Sequence, residues 1–319
     1  MAGEAGVAAR SETLAEGSRA LAANRARPRA RALDRFVLLK PRVMSLAVFT
    51  GAVGFLLAPG PIDWLNLVAA LAAMAAGAGA CGALNMWWEG DIDAQMARTA
   101  RRPIPRGAID PREALAIGAF LSLLSVAALG LRVNWLAAGL LALTIVIYIP
   151  VYTIWLKQRT PLNIVIGGAA GALPPMIGWA AAAGAIDAGP LALFLFIFLW
   201  TPPHFWSLAL CRSGDYQRAG VPMLPNVVGP VATCRRIAIY VALLVPASFA
   251  PLTIARLGAF YAVVAAGFNA VLVWRAAALY RLRDGAEAER RKAAMALFGF
   301  SILYMFALFA AMLGEAMAQ

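Results

Sequence analysis

The sequence predicts an all-α fold, a polytopic membrane helix bundle of about nine transmembrane helices. Of the 319 residues, 62% are hydrophobic and only 14% are charged, so the chain is far more apolar than a soluble domain. Apolar runs long enough to cross a bilayer recur along the chain, and in lipid such runs form helices. The basic residues are concentrated in alternate loops, as expected for a membrane protein with a fixed orientation.

Nine spans account for the apolar runs in chain order. They are predicted at residues 36–58, 63–86, 113–131, 134–155, 161–183, 188–211, 234–255, 257–280 and 292–314. The connections on one side are short and nearly uncharged: 59–62, 132–133, 184–187 and the region around 256. The connections on the other side are longer and basic: 87–112, 156–160, 212–233 and 281–291. A count of eight or ten spans would break this alternation.

The distribution of the 28 basic residues predicts the orientation. Only Arg132 and Arg256 fall on the sparse side, so the N-terminus and the large loops are expected in the cytoplasm. Membrane topology thereby explains the net charge of +12, and no nucleic-acid partner is expected. The expected location is the inner (plasma) membrane of a bacterial cell, with the mitochondrial inner membrane as the alternative.

The first 33 residues differ from the rest of the chain. Residues 1–33 are polar and rich in Ala and Arg, which predicts a disordered basic arm ahead of a single intramembrane domain, 34–319. An organellar transit peptide has a similar composition, but Glu4, Glu12 and Glu16 argue against one because transit peptides avoid acids.

A cluster of acids follows the second predicted span. Asn85, Glu89 and Asp93 lie four residues apart, so on a continuing helix they share one face, and Asp91 points away unless Gly90 breaks the helix. One amide oxygen and two carboxylates suit Mg²⁺, which usually binds through few carboxylates together with substrate phosphates. The competing interpretation is that these acids only form ion pairs with nearby arginines.

A second polar cluster lies at the end of the sixth predicted span. The prolines at 202–203 are expected to kink the helix and to free backbone carbonyls. His204, the only histidine of the chain, is either a hydrogen-bonded interior residue or a contact for haem, a transferred proton or a diphosphate. Asp215 is the only acid of its loop and lies beside Arg212 and Arg218, which suits a second metal–phosphate half-site.

A third stretch, residues 152–179, combines packing residues with candidate functional ones. Its glycines within 167–171 permit close helix approach, and the prolines at 174–175 predict a bent helix. Lys157, Arg159 and Asn163 are the better functional candidates, because they face the same cytoplasmic edge as the acids.

These motifs together resemble the UbiA-type intramembrane prenyltransferases. The pattern of that superfamily, Asn-x-x-x-Asp-x-x-x-Asp after the second span, is matched here by Asn85, Glu89 and Asp93. The middle acid departs from the pattern, since Glu89 carries one more methylene than the usual Asp. The second half-site also departs from that of quinone-type relatives, because it retains a single acid, Asp215.

Within the superfamily, the chain resembles the haem branch. That branch is marked by the segments 160–168, 202–206 and 215–225, and the resemblance covers about residues 35–315. It implies a nine-helix bundle with a cavity open to lipid. It also implies transfer of a farnesyl group from farnesyl diphosphate to a vinyl group of protoheme IX, with addition of water, giving haem O and diphosphate for haem–copper oxidases. The same resemblance implies contact with membrane lipid. It also implies haem A synthase or oxidase assembly factors as candidate partners.

The resemblance also implies a role for each candidate residue. The Mg²⁺ ligands would be Asn85, Glu89, Asp93 and Asp215, and the diphosphate would be contacted by Arg98, Arg102, Lys157 and Arg212. Haem or substrate would be contacted by His204, Asn163, Trp206 and Tyr216. The catalytic residues would be Asp93, Asp215 and His204.

Two other functions stay open. A prenyltransferase with an aromatic acceptor would share the Mg²⁺ and diphosphate site, although segment 202–206 and the loop with a single Asp favour haem. A secondary transporter would use membrane acids as an ion pathway, but here the acids cluster at one edge and none lies at mid-span. Release of diphosphate that depends on Mg²⁺ would separate an enzyme from a transporter.

Overall fold

The protein is described by a computed structural model over residues 32–97, 99–254 and 257–318. The regular secondary structure in these ranges is helical throughout, which confirms the predicted fold class. The predicted N-terminal arm up to residue 31, Arg98 and Arg256 lie outside the described residues.

The described helices follow one another with short connections. They are α1 (Ala32–Leu38), α2 (Pro41–Leu57), α3 (Trp64–Trp88), α4 (Gly90–Gln95), α5 (Pro111–Arg132), α6 (Trp135–Val146), the π-helix π1 (Ile147–Leu156), α7 (Asn163–Ala172), α8 (Pro174–Ala183), α9 (Ala188–Cys211), α10 (Ser213–Arg218), α11 (Leu224–Ile254), α12 (Ala259–Arg281) and α13 (Glu287–Ala318).

The number of spans agrees with the sequence prediction. Among the described residues, eight helices are long and apolar enough to cross a membrane, and the bent pair α1–α2 makes nine if it is counted as one span. That pair bends by 54°. Large apolar side chains such as Leu123, Leu131 and Val263 are exposed, as expected of a surface that faces lipid.

One predicted boundary is wrong. The sequence predicted a loop over 212–233, but α11 already begins at Leu224, and the short helix α10 precedes it. Gly229 interrupts α11 with φ 80° and ψ 165°, so the helix axis changes direction there. Glycine adopts a positive φ without steric cost, and proline is tolerated in the first turn of a helix. The proline- and glycine-rich stretch is therefore helical although its composition is typical of a loop.

Several acidic and amide residues between the spans are helix caps. The side chain of Asp63 accepts hydrogen bonds from the backbone N–H groups of Leu65 and Asn66, at 2.9 and 3.0 Å. Asp110, Asn134 and Asp187 accept equivalent bonds at the starts of α5, α6 and α9. Such caps satisfy backbone donors that have no partner within the helix. These side chains therefore belong to the scaffold rather than to a reactive site.

The helices close into one bundle. Neighbours in sequence pack against each other, and the last helix, α13, packs against α2 near the start of the chain. One apolar cluster fills the space among α9, α11, α12 and α13, and a second lies among α3, α5, α6 and α8. This arrangement brings polar residues that are distant in the sequence into contact, at the ends of α3 and π1 and along α9.

Helices α2 and α8 approach so closely that glycine is required between them. A Cβ atom added at Gly178 would lie 1.9 Å from the carbonyl oxygen of Gly51, and one at Gly54 would lie 2.1 Å from that of Pro175. Backbone atoms cannot move aside as a flexible side chain can. The small residues therefore set the helix separation, as is common within membranes.

We expect Gly178→Ala to destabilise the bundle by about 1–3 kcal/mol, because the added methyl group forces α2 and α8 apart. Thermal unfolding of the detergent-solubilised protein would measure the loss. Gly171→Ala is the matched control, since nothing lies within 4 Å of its added Cβ. Equal melting temperatures for the two variants would contradict this account of the helix contact.

Candidate functional site

Asn85, Glu89 and Asp93 lie on one buried face where α3 passes into α4. Glu89 donates its backbone N–H to the carbonyl oxygen of Asn85 at 2.9 Å, and Asp93 does the same to Glu89 at 2.7 Å, so the helical spacing continues across Gly90. The three residues are 2%, 2% and 0% exposed, whereas Asp91 is exposed to solvent. The structure thus places the first acid cluster as the helical spacing predicted.

Each of these three side chains is held by a basic residue from elsewhere in the chain. Lys40 donates a hydrogen bond to Oδ1 of Asn85, and Lys157 donates one to Oε1 of Glu89. Arg102 contacts both carboxylate oxygens of Asp93, at 2.8 and 2.6 Å. Three basic groups therefore face two carboxylates, which favours an additional anionic ligand at the site.

The bend between α1 and α2 places Lys40. This residue adopts a left-handed backbone conformation, with φ 52° and ψ 60°, immediately before Pro41 opens α2. The sequence analysis did not select Lys40. Its position inside the first predicted span was the available signal, because an ionisable residue within a membrane span is by default a functional candidate.

The π-helix π1 supplies the opposite wall of the site. Thr153 accepts a hydrogen bond from Nδ2 of Asn85 at 3.1 Å, and Lys157 follows one turn later at Glu89. Asn163 supports Lys157 by donating a hydrogen bond from Nδ2 to its backbone oxygen at 3.2 Å. The Oδ1 atom of Asn163 is buried, with no hydrogen-bond partner within the described part of the chain. Short π-helical segments are rare and occur frequently at functional sites.

The donor set fits a metal ion that arrives with its substrate. Within 32–97, 99–254 and 257–318, no group of three His, Cys, Asp or Glu side chains could hold a metal by itself. Two carboxylates and one amide oxygen are nevertheless hard donors of the kind that Mg²⁺ shares with substrate phosphates. The residues therefore fit a cation bridged by a phosphate ligand rather than one held by a cage of protein ligands.

The contacts of the second predicted half-site are local ones, with the two arginines that the sequence places beside Asp215. Asp215, partly exposed on α10, pairs with Arg218 of the same helix and lies 3.9 Å from Arg212, the residue immediately before that helix. Tyr216 beside it is half-buried and packs against the larger apolar cluster. Trp206 is buried, its ring lies edge-on to that of Tyr240, and its indole N–H has no hydrogen-bond partner among the described residues.

His204 lies on α9, which remains one continuous helix across both prolines. Its ring stacks on Trp200 and on Phe298, with centroid distances of 4.3 and 4.6 Å. Nδ1 lies 2.7 Å from the hydroxyl oxygen of Ser301, which the sequence analysis did not anticipate. Because Ser301 is 97 residues away, no local sequence pattern indicated this contact.

Comparison with known proteins identifies the group to which this arrangement belongs. The sequence matches the UbiA prenyltransferase family over residues 47–303. It is 54% identical to the protoheme IX farnesyltransferase of Parvibaculum lavamentivorans over 90% of this chain and 89% of the relative. It is 55% identical to the protoheme IX farnesyltransferase of Methylorubrum populi over 88% of each chain.

Solved structures share the fold at low sequence identity. A structure from work on digeranylgeranylglyceryl phosphate synthase in membranes has a TM-score of 0.75 at 19% identity, covering 90% of this chain and 98% of that one. A UbiA homologue from Archaeoglobus fulgidus bound to DMAPP and Mg²⁺ has a TM-score of 0.62 at 19% identity, covering 88% and 99%. The helical bundle, the family match and the identity to relatives agree: the chain belongs to the UbiA prenyltransferase family.

Proposed function

We propose that this protein transfers a farnesyl group from farnesyl diphosphate to a vinyl group of protoheme IX, with addition of water, giving haem O and diphosphate. The observation that carries the proposal is the buried meeting of Asn85, Glu89 and Asp93 with Lys40, Arg102 and Lys157 on a prenyltransferase fold. The choice of protoheme as acceptor is supported by relatives of 54–55% identity that are named protoheme IX farnesyltransferases.

The acid cluster is the proposed place for Mg²⁺. Asn85, Glu89 and Asp93 would hold it, with Asp215 as a further proposed ligand, and the related structure with DMAPP and Mg²⁺ supports this choice of cation. When bound, the ion supplies charge neutralisation that makes diphosphate a better leaving group. Arg102 and Lys157 already contact these carboxylates, so both are within reach of a diphosphate bound beside them. Arg98 and Arg212 are the remaining proposed diphosphate contacts.

The reaction breaks the farnesyl carbon–oxygen bond, the π bond of the vinyl group and one O–H bond of water, and it forms one carbon–carbon and one carbon–oxygen bond. The carbon–oxygen bond between farnesyl C1 and the diphosphate breaks, and the diphosphate leaves with the electron pair. The terminal vinyl carbon of protoheme forms a new carbon–carbon bond to farnesyl C1. Water then adds its oxygen to the inner vinyl carbon and releases one proton, so protoheme, farnesyl diphosphate and water balance against haem O and diphosphate.

The bundle itself supplies the environment for this chemistry. Its interior around α9 is apolar and rich in aromatic rings, including Trp200, Phe298 and Trp206, which restricts access of bulk water to a reactive allylic cation. His204 and Asn163, with Tyr216 and Trp206, are the proposed contacts for haem or the reacting water. We place the protein in a bacterial inner membrane with the acid cluster on the cytoplasmic side, on the distribution of its basic loops.

Haem extraction from a host that lacks its own haem O synthase tests the function. Expression of the intact chain is expected to convert part of the haem B pool into haem O. Haem B alone from a well-expressed chain would contradict the proposal. Prenylation of an added aromatic acceptor by the same membranes would then support the related aromatic prenyltransferase, whereas an absence of diphosphate release that depends on Mg²⁺ would favour a transporter.

A further inference from the structure

His204 has one polar contact and three aromatic ones, the third with the ring of Phe205, whose centroid lies 5.1 Å away in a T-shaped arrangement. The hydroxyl oxygen of Ser301 lies 2.7 Å from Nδ1, and the rings of Trp200 and Phe298 cover the two faces of the imidazole. Nε2 has no hydrogen-bond partner among the described residues, and it keeps some access to solvent. The residue is only 9% exposed, so that remaining access concerns a small part of the ring.

The single proton of the Ser301 hydroxyl decides the tautomer of His204. Ser301 Oγ lies 2.7 Å from the backbone oxygen of Phe298, and that carbonyl can only accept. If the hydroxyl donates to Phe298, it must accept from Nδ1–H of His204. The opposite arrangement makes one hydrogen bond fewer, because the hydroxyl proton then goes to Nδ1 instead of Phe298, and it leaves Nε2–H without an acceptor among the described residues. The contacts therefore favour the Nδ1–H tautomer, with the lone pair on Nε2.

We propose that Nε2 of His204 is the axial ligand of the protoheme iron and that Ser301 is a positioning residue that fixes the tautomer required for it. This inference rests on the proposed function, because protoheme is the iron-containing substrate. Neutral imidazole binds iron through one nitrogen while the other donates a hydrogen bond that sets the ring orientation. Ser301 supplies the acceptor for that hydrogen bond.

The helix pair α9–α13 also carries basic residues two turns from His204. Cys211 contacts the backbone oxygen of Arg291 at 3.4 Å, and two turns further along both helices His204 meets Phe298. Seven residues of α9, about 10 Å along its axis, separate these two levels. At the Cys211 level, Arg290 and Arg291 line an open cavity together with one acid, Glu287, and the two guanidinium groups suit carboxylates. Protoheme carries two propionate carboxylates on one edge. With that edge at Arg290 and Arg291, its iron would lie toward the level of His204.

Spectroscopy of the purified protein titrated with ferric protoheme tests the ligand. The intact protein is expected to show a saturable absorption and electron paramagnetic resonance signature of iron with an imidazole ligand. His204→Gly should lose that signature, and added imidazole should restore it, which also shows that the variant is folded. Protoheme that binds His204→Gly with the affinity and spectrum of the intact protein would overturn the assignment.

Ser301 is tested by the same titration. Ser301→Ala is expected to weaken protoheme binding by about 10- to 100-fold, as is usual for loss of a residue that orients a metal-binding histidine. Ser301→Thr keeps the hydroxyl and should restore the affinity. Ser207→Ala is the matched control, since Ser207 is a buried serine on α9 whose hydroxyl donates to the Pro203 carbonyl at 2.6 Å. An unchanged affinity and spectrum in Ser301→Ala would overturn the positioning role.

Haem O formation separates this inference from the function on which it rests. A chain that makes haem O but gives a spectrum without an imidazole ligand would overturn the inference alone. A chain that neither binds protoheme nor makes haem O would overturn both.

Discussion

Asp93→Asn is expected to reduce haem O formation at least about 100-fold, whereas Asp91→Asn is expected to keep the activity of the unaltered protein. Asp93 is fully buried and contacts Arg102 through both carboxylate oxygens, while Asp91, two residues earlier, is exposed. The substitution removes one proposed metal ligand and leaves Arg102 without its negative partner. Initial rates in membranes supplied with farnesyl diphosphate and protoheme would measure both variants.

Comparison of Asp91→Asn with Asp93→Asn controls for composition and local sequence, since both variants lose one charge on the same short helix. Loss of one partner of a buried ion pair also costs stability, about 3–5 kcal/mol, so thermal unfolding must accompany the rates. Asp93→Glu, which keeps the negative charge, should retain more activity than Asp93→Asn. Equal rates for Asp93→Asn and Asp91→Asn in folded protein would remove Asp93 from the proposed metal site.

Lys157→Met is expected to lower the rate by a similar factor, about 100-fold, and to weaken binding of a farnesyl diphosphate analogue. Lys157 donates to Glu89 at the end of π1 and is held there by Asn163, so its ammonium group lies beside the proposed diphosphate position. Methionine keeps the length of the side chain and removes the charge. Equilibrium binding of farnesyl thiodiphosphate with and without Mg²⁺ would measure the effect.

Arg159→Met is the control for Lys157→Met, because Arg159 is exposed two residues further along the same basic segment. The double variant Glu89→Gln with Lys157→Met removes both charges of the buried pair and should recover stability. If Lys157 contacts the diphosphate, the double variant binds farnesyl thiodiphosphate more weakly than Glu89→Gln alone, even after its melting temperature recovers. Recovery of full activity together with stability would show that Lys157 only balances the charge of Glu89.

The helices and the acid face could be predicted from the sequence because both depend on local geometry. The length of each apolar run sets a span, and the helical repeat places Asn85, Glu89 and Asp93 on one side. The start of α11 was missed because proline and glycine near 222–230 are typical of loops, although Gly229 only redirects the helix. Composition thus predicted the spans better than it predicted their ends.

The basic partners of those acids were only partly predictable. Lys157 and Arg102 were expected near a diphosphate, but their direct contacts with Glu89 and Asp93 were not specified, and Lys40 was not considered. The π-helical form of Ile147–Leu156, which supports Thr153 and Lys157, has no clear local pattern apart from Pro150. Asp215 contacts Arg212 and Arg218, the two arginines beside which the sequence places it, and its role as a metal ligand stays a prediction.

The sequence alone determined that the protein is a membrane helix bundle, where its spans lie and which face of α3 and α4 carries the acids. Only the tertiary structure decided that Lys40 meets Asn85 across 45 residues, Lys157 meets Glu89 across 68 and His204 meets Ser301 across 97. The physical reason is that spans surrounded by lipid are apolar on most faces, so hydrophobic periodicity does not specify which helices become neighbours. Close contacts at small residues, such as Gly178 against Gly51, select the neighbours and thereby assemble the site.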